Sequence, residues 1–387
     1  MKKRDSDCDR RESVNKQINR ERLLDTFVKL VSIDSPSYKE REMCEELKKR
    51  LLALGLSVEE DDTAPVSGSN CGNLIATLPG TLEMEPVLYC GHMDTVSPAY
   101  GKRAVIHDDG RITSAGDTVL GADDLSCVAG ILEALQVIKE GNISHGPIEV
   151  LFTTGEEVYG TGASAFDMTK LQSKDAYIFD LTGQTGRAAR KAPSIISFQI
   201  EVKGKASHAG FAPEKGIHAV QIASKAIGRL QLGHVDEETT ANIGLISGGA
   251  ATNIVPESCV VRGEVRSYSH QKALDETELI IETFEKAARE AGAEIAAESK
   301  VCIKAYETDL GSPVVKRFES ACRMMGVEPD LGETFGGSDL NVFANKGMEG
   351  LVLASAMENC HSCSEYTTVE ELCRVAEMAL TLMTMTE

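Results

Sequence analysis

Several short stretches of the chain carry residue types that a plain fold does not require. Gly91-His92-Met93-Asp94 stands at the exit of the apolar run Val87–Cys90. A buried strand needs no histidine at its end, but a divalent cation can use one. Asp94 lies two residues on, hence on the same pleated face, and can hold the second ring nitrogen and fix the tautomer. The plain alternative is a strand end with two solvated polar groups. Gly121-Ala122-Asp123-Asp124 follows a glycine-rich loop and opens a helix. Either aspartate could cap that helix, and two in a row leave one free to face a cation. Carboxylates recur past two more apolar runs: Glu156 and Glu157 after Ile148–Thr154, and Asp180 after Ala176–Phe179. One strand-end acid is noise. Several on one edge repel each other strongly unless a cation neutralises them.

Near the C-terminus, Asn359-Cys360-His361-Ser362-Cys363 offers another histidine between two cysteines. A structural zinc site would need a second ligand pair, and the chain has no other C-x-x-C. A redox pair would open a helix in a thioredoxin-like unit, which this region does not resemble. The thiols are therefore read as incidental and His361 as the residue of interest. No G-x-S-x-G, Walker A or H-E-x-x-H motif occurs, so serine-hydrolase, P-loop and zincin chemistries have no support.

The elements that must position these residues follow from periodicity. Helical spacing covers about Gln17–Ser32; Ser35-Pro36-Ser37 breaks that helix and caps another, which runs to Leu54 and stops at Gly55. Strands are expected at Leu56–Glu60, Asn73–Leu78, Val87–Cys90, Ile148–Thr154 and Ala176–Asp180, with a hairpin at Ala104–His107 and Arg111–Ser114. A helix runs from Asp123-Asp124 through Ile138. Strands alternating with helices predict a doubly wound, mostly parallel sheet, whose ligand site lies beyond the carboxyl ends of the strands. His92, Asp123, Glu156, Glu157 and Asp180 all fall there. After Thr182 the order becomes strand Ser194–Lys203, helix Pro213–Leu232, strands Thr240–Ser247 and Ser258–Arg266, helix Leu274–Ala291 and strand Glu294–Ile303. That is the β-α-β-β-α-β order of a ferredoxin-like domain, inserted into the first. The expected division is a catalytic domain of residues 1–192 and 305–387 and an inserted domain of residues 193–304. A helix Pro313–Met325, the loop Phe335-Gly336-Gly337-Ser338-Asp339, a strand Gly350–Ser355 and a final helix Val369–Met385 complete the first domain.

With 387 residues the chain is too long for a single compact core. Its 60 acidic against 40 basic residues give a net charge of -20, which argues against nucleic acid or an anionic membrane as partner. No apolar run reaches membrane-span length. Met1–Arg22 is charged throughout and lacks an apolar h-region, so it does not read as a secretory leader, and its first residues read as a frayed tail. The 11 scattered cysteines fit reduced thiols in a cytoplasm.

Taken in order, Gly91-His92-Met93-Asp94, Gly121-Ala122-Asp123-Asp124, Thr154-Gly155-Glu156-Glu157, Ser207-His208-Ala209-Gly210 with Pro213-Glu214-Lys215-Gly216, and His361 resemble the co-catalytic dinuclear zinc exopeptidases. That family includes peptidase T, glutamate carboxypeptidase, acetylornithine deacetylase and succinyl-diaminopimelate desuccinylase, and the wording here is closest to the peptidase T-like branch. The resemblance implies that His92 and Asp180 hold one metal, Glu157 and His361 the other, and that Asp123 bridges them. The ions would be zinc, with manganese or cobalt as alternatives. Glu156 would be the general base acting on a water shared by the two ions, and Asp94 would orient His92. His208 would polarise the substrate carbonyl, often from a neighbouring subunit. Asn253 and Arg266 would hold a substrate carboxylate or backbone, with Gly336, Gly337 and Ser338 lining the pocket. The implied protein is a cytoplasmic aminopeptidase of small peptides, a homodimer through the inserted lid. Alternatives are a deacylase of N-acyl amino acids and an inactive peptide-binding relative. One departure is Leu125, where family members usually carry lysine two residues after the bridging aspartate.

Overall fold

The computed structural model describes residues 18–386. The first residues, expected to form a frayed tail, and Gln17, where the first helix is expected to begin, lie outside the described residues. Two compact units emerge. One comprises the chain through Arg190, Glu307–Glu333 and the residues from Ser338 onward; the other comprises Lys191–Tyr306 with Thr334–Gly337.

The first unit begins with α1 (Arg20–Val31) and α2 (Arg41–Leu54), then β1 (Ser57–Glu60), β2 (Leu74–Leu78), β3 (Val87–His92), β4 (Ala104–Ile106) and β5 (Arg111–Ser114). α3 (Ala122–Gly141), β6 (Ile148–Thr153), β7 (Asp175–Leu181) and β8 (Arg187–Ala192) follow. The second unit holds β9 (Ser194–Lys203), α4 (Ala219–Ile227), β10 (Gly233–His234), β11 (Thr239–Gly248), β12 (Ser258–Ser267), α5 (His270–Glu290) and β13 (Glu294–Ile303). Then come β14 (Tyr306–Glu307), α6 (Pro313–Met325), β15 (Asp330–Glu333), α7 (Asp339–Asn345), β16 (Glu349–Ala354), β17 (Tyr366–Thr368) and α8 (Val369–Thr384).

The large sheet of the first unit has the order β1-β2-β6-β3-β7-β16-β8-β14, with β15 beside β8. Its centre is parallel: β6 with β3, β3 with β7, and β7 with β16. The pairs β1/β2, β2/β6 and β16/β8 are antiparallel. Parallel strands are covered on both faces, so they must be apolar along their whole length. β3 and β6 are buried at every residue. Their register brings the carboxyl ends level, with His92 opposite Thr153, while Cys90 pairs with Ile178 two residues before Asp180. α3 is buried along most of its length, and α8 lies against it. Gly130 permits that approach, since a Cβ there would come within 3.0 Å of Val375 Cγ1.

The second unit is an antiparallel sheet, β10-β11-β12-β9-β13, the expected ferredoxin-like order plus the two-residue β10. Along β9, Ile196, Phe198, Ile200 and Val202 are buried while Ser197, Gln199 and Glu201 are only half-buried, as a two-residue period with one covered face requires. α4 and α5 cover that face with Ile222, Ala223, Ala226, Ile280, Phe284 and Ala287.

Two expectations change. The helix from Pro213 to Leu232 is interrupted: only Pro213–Lys215 form a turn, and α4 begins at Ala219. The reason is that Ile217 exchanges both backbone hydrogen bonds with Lys205, which a helical residue could not do. Ser37 does not cap α2, because its hydroxyl donates to Asp94 Oδ2 at 2.7 Å, and the helix starts later, at Arg41. β8, β14, β15 and β17 were not foreseen, since they are short or rich in charge and carry no apolar alternation.

Phe284 is fully buried between helix and sheet. Phe284→Ala should destabilise the second unit by about 3–5 kcal/mol. Urea unfolding followed by hydrogen exchange should show this unit's amides losing protection; unchanged protection there would contradict the packing described.

Candidate active site

The carboxyl ends of β3, β6 and β7 and the start of α3 bring a dense acidic cluster together in the first unit. Asp123 is its centre. Its Oδ1 lies 3.2 Å from His92 Nε2 and its Oδ2 lies 3.3 Å from His361 Nε2. One carboxylate thus spans two imidazoles. Glu157 Oε2 lies 2.8 Å from the same His361 nitrogen. Candidate ligand atoms of His92, Glu156 and Asp180 lie within 4.8 Å of one another, and so do those of His92, Asp123 and Glu157. The two groups share His92. The structure therefore brings His92, Asp123, Glu156, Glu157, Asp180 and His361 to one place.

Local backbone explains how. Gly91 precedes His92 because Asp124 packs against its Cα: a Cβ there would be 2.6 Å from Asp124 Oδ2 and 2.7 Å from Cys127 Sγ. Asp124 Oδ2 also accepts the His92 N–H at 3.2 Å. Asp123 and Asp124 have non-helical backbone angles although they sit in the first turn of α3, which turns the Asp123 side chain out of the helix path. His361 occupies the left-handed region at φ 62°.

A second layer of buried groups holds this arrangement. His92 Nδ1 is 2.9 Å from the Asp94 carbonyl and 3.5 Å from its Oδ1. Donation from Nδ1 leaves Nε2 as the nitrogen with a free lone pair. The Asp94 carboxylate is fully buried and accepts from the Glu156 N–H at 3.0 Å, the Glu157 N–H at 3.3 Å and the Ser37 hydroxyl. Three further acids take part that no motif in the sequence marked. Glu365 accepts from the Gly121 and Asp123 N–H groups at 2.7 and 2.9 Å, fixing the turn that presents Asp123. Glu40 accepts from the Gly155 N–H at 3.0 Å. Asp339, at the start of α7, accepts from the Thr153 hydroxyl at 2.5 Å. They hold backbone or a neighbouring hydroxyl from far along the chain, so spacing gives no sign of them; the one hint is that each is an acid in or beside a glycine- or serine-rich loop.

The electrostatics are those of a site built for cations. Burial pushes Glu156 and Asp180 well above the ordinary carboxylate range, and neighbouring acids push the same way. Glu157 is raised by burial and by Asp123. Asp339 is pushed up to about 6 by burial. Burial opposes charge on His92, yet Asp123 and Asp94 hold its pKa well above the usual value. His361 is raised to about 10 by its hydrogen bonds to Asp123 and Glu157. Asp123 moves the other way despite burial, held low by the two imidazoles. Glu157 Oε1 is buried without a hydrogen-bond partner among the described residues. Carboxylate oxygens and neutral imidazole nitrogens at this spacing fit one or two ions such as zinc, manganese or cobalt.

The remaining sequence-predicted residues lie mostly in the second unit. His208, Asn253 and Arg266 are there, with Gly336 and Gly337; Ser338 belongs to the first unit, where it caps α7. His208 and Asn253 are neighbours, since the Ala209 N–H donates to the Asn253 carbonyl at 3.0 Å. Arg266 donates to Glu264 Oε1 and, through Nη1, to the Phe335 carbonyl at 2.8 Å. Four other histidines have local polar contacts, and His234 stands edge-on to the Phe335 ring at 5.9 Å. His145 Nδ1 contacts the Gly146 carbonyl, His218 caps α4, His270 contacts the Ser194 hydroxyl and His107 that of Thr113.

Residues 191–292 match the model of the peptidase dimerisation domain of the M20 family. An aminopeptidase PepT from Bacillus cereus is 40% identical with a TM-score of 0.88, over 95% of this chain and 99% of that one. A tripeptidase from Staphylococcus aureus is 35% identical with a TM-score of 0.92, over 95% and 98%. The Bacillus subtilis protein YqjE, uncharacterised, is 39% identical over 95% of this chain and 98% of its own length.

The charge pattern predicts how chelator-treated protein responds to pH. Buried carboxyls with raised pKa stabilise the fold while protonated and lose that contribution as pH rises. Imidazoles with raised pKa do the same, fully contributing below their unfolded value near 6.5 and losing it towards about 10 for His361. Both signs agree between pH 6 and 8. The melting temperature in chelator should be lower at pH 8 than at pH 6, and added zinc should raise it more at pH 8. A flat or rising profile would contradict the site's charge balance.

Proposed function

The chain belongs to the M20 peptidase family, in its peptidase T-like branch, and we propose that it is a cytoplasmic, metal-dependent aminopeptidase acting on small peptides such as tripeptides. That it is a peptidase follows from the similarity of the whole chain to peptidases. The finer reading rests on one observation: the Asp123 carboxylate lies between two imidazoles with Glu156 and Glu157 beside it. In this reading His92 and Asp180 would hold one divalent ion and Glu157 and His361 the other, with Asp123 shared between them, zinc being the metal best matched to the donor set. When bound, the pair of ions supplies Lewis-acid polarisation of the carbonyl and lowers the pKa of water.

The chain's own residues do the rest. Glu156 takes a proton from the attacking water and returns it to the leaving amine. Burial raises its pKa, so it holds that proton long enough to deliver it. Asp94 fixes the Glu156 backbone N–H and, through its carbonyl, the His92 ring. His208 donates to the carbonyl oxygen of the substrate as charge develops there. Asn253 and Arg266 take a substrate carboxylate or backbone carbonyl, with Gly336, Gly337 and Ser338 lining that subsite. Residues 1–192 and 305–387 form the catalytic domain and residues 193–304 a lid that also pairs two copies of the chain. The match to a dimerisation domain supports that pairing.

Candidate ligand atoms of Glu156, His92 and Asp180 lie within 4.8 Å of one another, so the role of Glu156 as base needs a direct test. Glu156→Gln should lower turnover of a tripeptide by about 10²–10⁴-fold while metal content stays unchanged. Loss of metal would make Glu156 a ligand. Hydrolysis of N-acyl amino acids in preference to di- and tripeptides by the wild-type chain would replace the aminopeptidase reading with a deacylase.

A further inference from the structure

The loop that carries His208 is built around its imidazole. The N–H groups of Gly210 and Phe211 both point at His208 Nδ1, at 3.1 and 3.2 Å. An amide N–H can only donate, so Nδ1 is the unprotonated nitrogen, and in the neutral ring the proton sits on Nε2. The Phe211 ring lies on the imidazole, with centroids 4.2 Å apart and planes 27° from parallel. Phe211 is 86% exposed, so the stack on His208, not a core contact, sets where its ring lies. The backbone beneath is tied to the neighbouring segment: the Ala209 N–H donates to the Asn253 carbonyl and the Val255 N–H to the Ser207 carbonyl at 2.9 Å. The loop therefore fixes the main chain, the tautomer and the ring plane together.

His218 provides the contrast. Its Nδ1 accepts the Gln221 N–H at 3.2 Å and caps α4. After His208 only the three-residue turn Pro213–Lys215 follows, so helix capping does not account for the same geometry there. What the arrangement leaves outward is a single N–H donor. A ring in that state has no lone pair on Nε2 with which to hold a metal or take a proton.

We infer that Phe211, together with the Gly210 amide, is a positioning residue that presents His208 as a fixed Nε2–H donor to an acceptor oxygen. On the peptidase reading above, on which the identity of the acceptor rests, that oxygen is the substrate carbonyl. Phe211 acts through His208 and not by contact with substrate. Its removal should slow the step that the donor assists and leave peptide affinity nearly unchanged.

Two measurements on the full chain test this. In protein labelled with ¹⁵N histidine, with His208→Ala used for assignment, the His208 ring at neutral pH should show an imine-like Nδ1 and a protonated Nε2. A protonated Nδ1, or two tautomers in comparable amounts, would overturn the inference. In steady-state assays Phe211→Ala should lower kcat about 2- to 12-fold, the range of an aromatic pair, with KM held. Phe211→Tyr should restore it. In a His208→Ala background the Phe211 substitution should have no further effect. An equal loss in that background, or a change in KM alone, would make Phe211 a substrate contact and sink the proposal. The NMR result needs no turnover, so a chain that hydrolyses no peptide would defeat the peptidase reading and leave the locked tautomer standing.

Discussion

Buried negative charge is the constraint around which the first unit is arranged. Asp94, Asp123, Asp124, Glu156, Glu157, Asp180, Asp339 and Glu365 converge where β3, β6 and β7 end. Two imidazoles offset part of this, and Asp123 shares itself between them. The remainder costs too much to leave unpaired at low dielectric, which is why burial drives Glu156, Asp180 and Asp124 towards their protonated forms. Divalent cations would remove the conflict, and the same charge density that destabilises the bare site would then give it affinity.

The scaffold separates two kinds of acid. Some reach the centre; others turn away and hold backbone. Glu365 and Glu40 accept main-chain N–H groups next to Asp123 and Glu156. Asp94 does both, holding the Glu156 and Glu157 amides with its carboxylate and the His92 ring with its carbonyl. Lys102 is a buried cation in the same layer, donating to Thr95 Oγ1 and lowered to about 8 by burial despite Asp34, Glu365 and Asp94 nearby. A site assembled this way has little freedom to reorganise, as preorganised electrostatics requires.

Much of this was legible in the sequence because strand ends are. Apolar runs that terminate in His92, Glu156, Glu157 or Asp180 declare both the strand and the edge it points to. The β-α-β-β-α-β order of the second unit followed from periodicity alone. The buttressing acids were not legible. Glu365 lies 244 residues from the Gly121 amide it accepts, and its neighbours in sequence are ordinary loop residues. Asp339 looked like a loop acid and is a buried partner of Thr153. The helix expected over Pro213–Leu232 failed because Ile217 pairs with Lys205, a non-local contact that helical spacing cannot foresee. Asp94 meets His92 Nδ1 most closely through its carbonyl, a main-chain contact that residue spacing does not show.

On the function proposed, the Asp123 cluster is one site for two cations. Counting metal by mass spectrometry on protein saturated with zinc and then desalted addresses it most directly. The wild-type chain should retain two ions per chain, and Asp123→Asn, which keeps the shape but removes the charge shared by both imidazoles, should retain one or fewer. At most one ion in the wild type, or two in Asp123→Asn, would contradict the account.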